Sequence, residues 1–230
     1  MTIGTKVRRP IRESAFWQAY ERSRYAILFY ALLVTLLAAP IAAAFGLPGV
    51  LSKLLVSASL LAAVMPNATK RTRQALLIGV LLLILAQFVP EEAHAVRSGY
   101  VLALIGVTGL AAAAGTLRFA VTAKTANSES IYAALSTYLL AGLFLGQIYW
   151  SIESLHPGSF AGPDPFSELN AVYFSFVTLA TLGYGDFLPR TAIARGLATF
   201  EVIGGQLFLA VLVARLLGTF GSEVTPPPAK

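Results

Sequence analysis

Six consecutive residues, Thr181-Leu182-Gly183-Tyr184-Gly185-Asp186, carry the densest chemical signal in this 230-residue chain. Two glycines alternate there with larger residues. Glycine takes backbone conformations closed to other residues at little steric cost. A loop built this way can turn successive carbonyls in one direction. A row of carbonyl oxygens can replace the water around a cation that must shed its hydration. Other chemistries are poorly supplied. The chain has no cysteine, which excludes disulfides, thiolate metal sites and cysteine nucleophiles. Its two histidines, His94 and His156, fall in outward loops with no partner set, so no enzyme is expected.

The loop must be positioned by a membrane fold. Hydrophobic residues make up 57% of the chain and charged ones only 12%, about half the usual ~25% of soluble domains. Six stretches are apolar enough to be spanning helices: residues 25–45, 47–65, 75–89, 98–117, 131–152 and 193–220. The third is short. Between the last two, residues 166–180 are apolar but too short and polar to cross. A cleaved leader at the first span is disfavoured, because its basic lead and apolar run are both too long.

Charge sets the orientation. Lys6, Arg8, Arg9, Arg12, Arg22 and Arg24 precede the first span. Lys70, Arg71 and Arg73 lie between the second and third, Arg118 and Lys124 between the fourth and fifth, and Arg215 and Lys230 at the C-terminal end. These are thirteen of the 17 basic residues, all on one side. The positive-inside rule makes that side cytoplasmic, with both termini inside and residues 153–195 outside. The net charge of +6 therefore tracks topology, not a nucleic-acid surface.

The sequence Thr181–Asp186, preceded by an apolar and aromatic run and followed by Pro189, resembles the pore loop of the potassium-channel superfamily. The resemblance covers the loop and both flanking helices, with Leu182 in place of the more usual valine or isoleucine. It implies that the carbonyls of Thr181, Leu182, Gly183 and Tyr184 line potassium sites, with the Thr181 hydroxyl innermost and Gly185 completing the filter. The side chains of Leu182 and Tyr184 would turn away into the wall, and Asp186 would stand at the outer mouth, held by Tyr173 or a neighbour. Residues 166–180 would form a re-entrant pore helix whose C-terminal end, partly negative, favours a cation. Tyr173, Phe174 and Phe176 would form an aromatic cuff, with Val177 also in the filter wall. Val177 stands where many family members carry a glutamate. One loop per chain implies a homotetramer, since no internal repeat is visible.

The last span contains Gly204-Gly205. By resemblance Gly205 falls at a gating hinge; close helix packing explains small residues equally well. Gln206, Leu209, Val213 and Leu217 share one helical stripe. If it faces the axis, Gln206 is a polar ring below the filter, and Val213 and Leu217 are candidates for an apolar inner gate that blocks by dewetting. Glu201 lies inside an apolar span, a functional signal by default, and needs a polar partner behind the pore helix. Arg215 is expected to reach the inner headgroups.

Six helices with a pore loop between the fifth and sixth also suggest voltage gating. Residues 101–117 of the fourth span carry no charge, however. With little charge to move through the field, steep voltage dependence is not expected. The first four helices read instead as a scaffold, and the Ala/Gly-rich residues 106–115 suit close packing.

The expected fold is an all-α membrane protein of six transmembrane helices, with a re-entrant pore helix and selectivity filter in a tetrameric pore. Its regions are a basic cytoplasmic N-terminus (1–24), a four-helix membrane domain (25–124), a pore domain (130–220) and a flexible tail (221–230) too short for a ligand-binding domain. The expected function is passive, potassium-selective conduction across the cell membrane, with lipid and potassium as partners, no nucleic acid and no cofactor beyond the permeant ion. A weakly selective cation pore and a non-conducting membrane subunit or receptor are the alternatives.

Overall fold

The computed structural model describes residues 15–46, 54–59, 61, 81, 95–123 and 127–223. Five long elements emerge: helices α1 (Ala15–Ala44), α2 (Ala95–Thr122), α3 (Ser128–Leu155), α4 (Glu168–Leu179) and α5 (Ala192–Glu223). A two-residue hairpin pairs β1 (Phe160–Ala161) with β2 (Leu188–Pro189) in antiparallel register. Four stretches are long and apolar enough to cross a membrane: Ser23–Ala44, Gly99–Thr122, Ser128–Leu155 and Ala192–Leu217. They correspond to the first, fourth, fifth and sixth expected spans. Of the second and third, only residues 54–59, 61 and 81 are described, and these are helical; the rest lies outside the described residues. So do residues 1–14 and 224–230 of the terminal regions. Helix α5 runs through Glu223, three residues into the segment expected to be a flexible tail.

Small residues set the packing of α2 on α3. A Cβ added to Gly106 would lie 2.5 Å from Ile148, and one on Gly109 only 2.1 Å from the ring of Phe144. Further along, Thr116 and Thr137 share a buried hydrogen bond of 2.8 Å. The pairs 106–148, 109–144 and 116–137 run in opposite directions, so the helices are antiparallel, as their short connection requires. The glycines let backbones approach where lipid supplies no hydrophobic drive for association. Helix α1 lies on the same side of α3, where Tyr25, Leu28 and Leu32 are fully buried and Tyr25 stacks on Phe119. A 3.0 Å bond between Thr35 and Ser59 ties in the helical residues 54–59. The observed α2 starts at Ala95 and ends at Thr122, so it takes in Arg97 and Arg118 near its ends. Its interior between them is uncharged.

The second core lies at the other end of α3. Tyr149, Phe160, Phe166, Phe174 and Phe187 are all buried there, around α4 and the hairpin. Phe160 stacks on Phe166 at 4.1 Å and meets Phe174 edge-on at 5.4 Å. This cluster and the β1–β2 pairing fix both ends of the loop that holds the glycines.

Candidate functional site

Helix α4 begins where Ser167 accepts a hydrogen bond from the Asn170 backbone at 3.2 Å, an ordinary N-cap. How it ends matters more. The N–H of Leu182 donates to the carbonyl of Val177 at 2.9 Å, and that of Thr181 to Thr178 at 2.9 Å. This pair of bonds around the C-cap Ala180 is a Schellman motif, which requires a left-handed residue just past the cap. Glycine usually takes that position. Here it is Thr181, with φ +57°, the one described non-glycine residue with positive φ. A β-branched residue there is a true outlier, costing ~1–3 kcal/mol, and such strain gathers at ligand sites.

Positive φ then recurs at every second residue, with Gly183 at +56° and Gly185 at +77°. Leu182 and Tyr184 between them are not in that region. Alternating backbone hand turns successive peptide planes the same way, whereas a regular strand points its carbonyls alternately left and right. The loop leaves α4 at its partly negative end. Thr181 through Asp186 are all exposed in the single chain, including Leu182 at 56% and Tyr184 at 66%. Among the described residues no group of histidine, cysteine or carboxylate side chains could hold a metal ion.

The aromatic side chains divide between two faces of α4. Tyr173 faces the loop: its hydroxyl donates to Asp186 at 2.8 Å and its ring stacks on Tyr184 at 6.5 Å. The bond to the Asp186 carboxylate raises the Tyr173 phenol above its ordinary range. The other oxygen of Asp186 accepts from the Phe187 backbone at 3.0 Å. Phe174 does not join a cuff around the loop. It packs behind α4 against Tyr149, at 5.0 Å, and against Phe160. Phe176 lies over Gly142 of α3, where an added Cβ would come within 2.5 Å. The reason is helical geometry, since adjacent residues point ~100° apart. Val177, four residues after Tyr173 and so on the same face, is buried.

Helix α5 meets this assembly at successive turns. Glu201 is 1% exposed. Ser175 of α4 donates to one of its oxygens at 2.5 Å, and Tyr149 of α3 to the other at 2.6 Å. Sequence reasoning placed an acid here and required a partner, but had no signal that named Ser175 or Tyr149. Arg195, nearer the start of α5, donates to the Pro189 carbonyl at 3.0 Å. One turn after Glu201, Gly205 is packed so closely that an added Cβ would stand 2.6 Å from the Leu179 carbonyl oxygen. Gly204 has open space beside it. Gln206 reaches the Thr181 hydroxyl across 3.5 Å, a long contact.

The two sides of α5 also separate cleanly. Gly204, Phe208, Val211 and Arg215 line an apolar cavity of about 310 Å³ between α5, α2 and α3. Gln206, Leu209, Val213 and Leu217 lie on the opposite face and are exposed. Arg215, expected to reach the inner headgroups, also has partners within the chain. It donates to the carbonyls of Ala120 and Ala123, which the end of α2 leaves unsatisfied.

A family described as "ion channel" matches residues 133–221, the segment built from α3, the hairpin, α4 and α5. An inward rectifier potassium channel of Paramagnetospirillum magnetotacticum is 36% identical over 83 residues, covering 36% of this chain and 24% of its own. Two-pore potassium channel 2 of Arabidopsis thaliana is 30% identical over 94 residues, or 41% of this chain and 19% of that one. Two pore potassium channel c of Oryza sativa subsp. japonica is 36% identical over 84 residues, or 35% and 17%. The chain thus spans less than a quarter of the length of each of these relatives. No solved structure matches it. Over the segment from α3 to α5 the chain is thus similar to potassium channels, and four of its helices are long and apolar enough to cross a membrane.

Proposed function

We propose that four copies of this chain form a pore that conducts potassium selectively and passively across the cell membrane. The observation that carries this reading is the loop Thr181–Gly185, with positive φ at alternate residues, hung from the C-terminal end of α4. In a fourfold ring, the carbonyls of Thr181, Leu182, Gly183 and Tyr184 replace the hydration shell of potassium. Gly185 ends the filter and Asp186, tied to Tyr173, holds its outer mouth. The exposure of Leu182 and Tyr184 in one chain supports assembly, because their side chains need a neighbour to complete the wall.

The exposed stripe Gln206, Leu209, Val213 and Leu217 lines the cavity below, on the side of α5 turned away from α2 and α3. Gln206 lies next to the Thr181 hydroxyl, and Val213 and Leu217 form the inner constriction. Gly205 acts chiefly as a packing residue against Leu179, while Gly204, with free space beside it, is the better hinge. Six spans per chain, both termini in the cytoplasm, complete the architecture. The uncharged interior of α2 supports conduction without steep voltage gating.

Reconstituted protein should pass potassium and be blocked by barium and by quaternary ammonium ions. Gly183→Ala and Tyr184→Ala should abolish the preference for potassium over sodium. Wild-type vesicles that take up sodium as fast as potassium would refute the reading.

A further inference from the structure

Helix α5 touches α4 at two points with matched spacing. Glu201 meets Ser175, and Gly205 meets Leu179. Both pairs advance by four residues, one helical turn, so a single face of α5 lies along a single face of α4. The first contact is a short hydrogen bond to a carboxylate. The second is van der Waals contact with the carbonyl of Leu179, two residues before Thr181. Any shift of α5 at this level is therefore passed to the end of α4 from which the loop departs.

The carboxylate does more than join two helices. Its second oxygen accepts from Tyr149 on α3. Tyr149 is itself fixed edge-on by Phe160 and Phe174. Glu201, Ser175 and Tyr149 are each at most 1% exposed. A carboxylate inside a spanning helix is costly, and well-packed apolar residues of similar volume would hold three helices together at least as well. Stability alone gives no reason for an acid here. Directionality explains a two-pronged polar group: two hydrogen bonds, one at each oxygen, fix angle and register in a way that apolar contact cannot.

We propose that Glu201 is a positioning residue for the selectivity filter. Its carboxylate holds Ser175 and Tyr149 at once, and so sets the height and tilt of α4 beneath Thr181. This rests on the potassium-channel reading above. Because Glu201 lies on the helix that carries the inner gate, the same contact couples movement of that helix to the filter.

The test uses the full chain reconstituted in planar bilayers, with potassium-to-sodium permeability ratios measured for wild type, Ser175→Ala, Tyr149→Phe and Glu201→Gln. The first two remove one hydroxyl each and leave the fold's shape intact. Size-exclusion profiles and thermal unfolding identify assembled protein, and only assembled protein is compared. Ser175→Ala and Tyr149→Phe should lower the permeability ratio on the order of tenfold. Glu201→Gln should remain near wild type, because its carboxamide can accept from one hydroxyl and donate to the other. Rescue by glutamine together with loss in the hydroxyl variants is a pattern that general destabilisation does not produce. If assembled Ser175→Ala and Tyr149→Phe keep the wild-type ratio, the positioning role is overturned and the channel reading stands. A wild type without potassium preference overturns both.

Discussion

Substituting alanine at Gly204 and at Gly205 separates a hinge from a packing contact within one residue step. Alanine favours a helix over glycine by ~1 kcal/mol, and both positions lie inside unbroken α5, so each variant receives the same backbone gain. The surroundings differ. At Gly204 no heavy atom lies within 4 Å of the new Cβ. At Gly205 the new Cβ falls 2.6 Å from the Leu179 carbonyl oxygen and 2.9 Å from its Cδ1. The side chain could rotate aside, but the carbonyl belongs to the last turn of α4 and moves only if that turn moves. Overpacking of this kind costs ~1–3 kcal/mol. The propensity gain cancels in the comparison, so Gly205→Ala should be less stable than Gly204→Ala by ~1–3 kcal/mol per chain. Thermal unfolding of the purified protein in potassium, followed by tryptophan fluorescence, measures the difference. Gly205→Ala should also lower potassium selectivity, because relief of the clash displaces Thr181. Gly204→Ala should retain selectivity while slowing gating. Equal stability and selectivity in the two variants would refute the close approach of α5 to α4.

Other outcomes follow from the same contacts. Tyr173→Phe removes the donor to Asp186 and should hasten the decay of current in sustained recordings, with the folded protein otherwise unchanged. The raised phenol gives that bond an alkaline signature. On the tyrosine side its contribution is complete below the ordinary value of ~10 and is lost only as pH rises through the higher folded value. Current stability should therefore not fall on this account between pH 7 and 9, and Tyr173→Phe should abolish any step seen above that range. Gly109→Ala, whose Cβ would strike the Phe144 ring at 2.1 Å, should destabilise the α2–α3 pair by ~1–3 kcal/mol in thermal unfolding while leaving the permeability ratio intact. Voltage steps should change open probability only shallowly, because α2 offers no internal charges to carry; a steep conductance–voltage curve would contradict this.

The parts of the fold visible in the sequence were those that a local pattern dictates. Long apolar runs marked α1, α2, α3 and α5, because a spanning backbone must satisfy its own hydrogen bonds. The glycine spacing at 183 and 185 marked the loop, because few residues tolerate positive φ. What stayed hidden depends on three-dimensional approach. Nothing about Thr181 in the sequence shows that it takes the left-handed position of the α4 cap, a place usually held by glycine. The aromatic run at 173–176 looked like one wall, yet the helix divides it, sending Tyr173 to the loop and Phe174 and Phe176 to α3. Glu201 announced itself as an anomaly in an apolar helix, but its partners Ser175 and Tyr149 lie 26 and 52 residues away and were beyond any periodicity. Nor does any local pattern show that Arg215 reaches the carbonyls of Ala120 and Ala123, 95 and 92 residues away.

The central claim is selective passage of potassium, and the reversal potential under bi-ionic conditions tests it most directly. With potassium on one side of a bilayer and sodium on the other, the current through wild-type protein should reverse far from zero, towards the potassium equilibrium potential. A current that reverses near zero would show that sodium passes as readily, and would contradict the account of Thr181–Gly185 as a potassium filter.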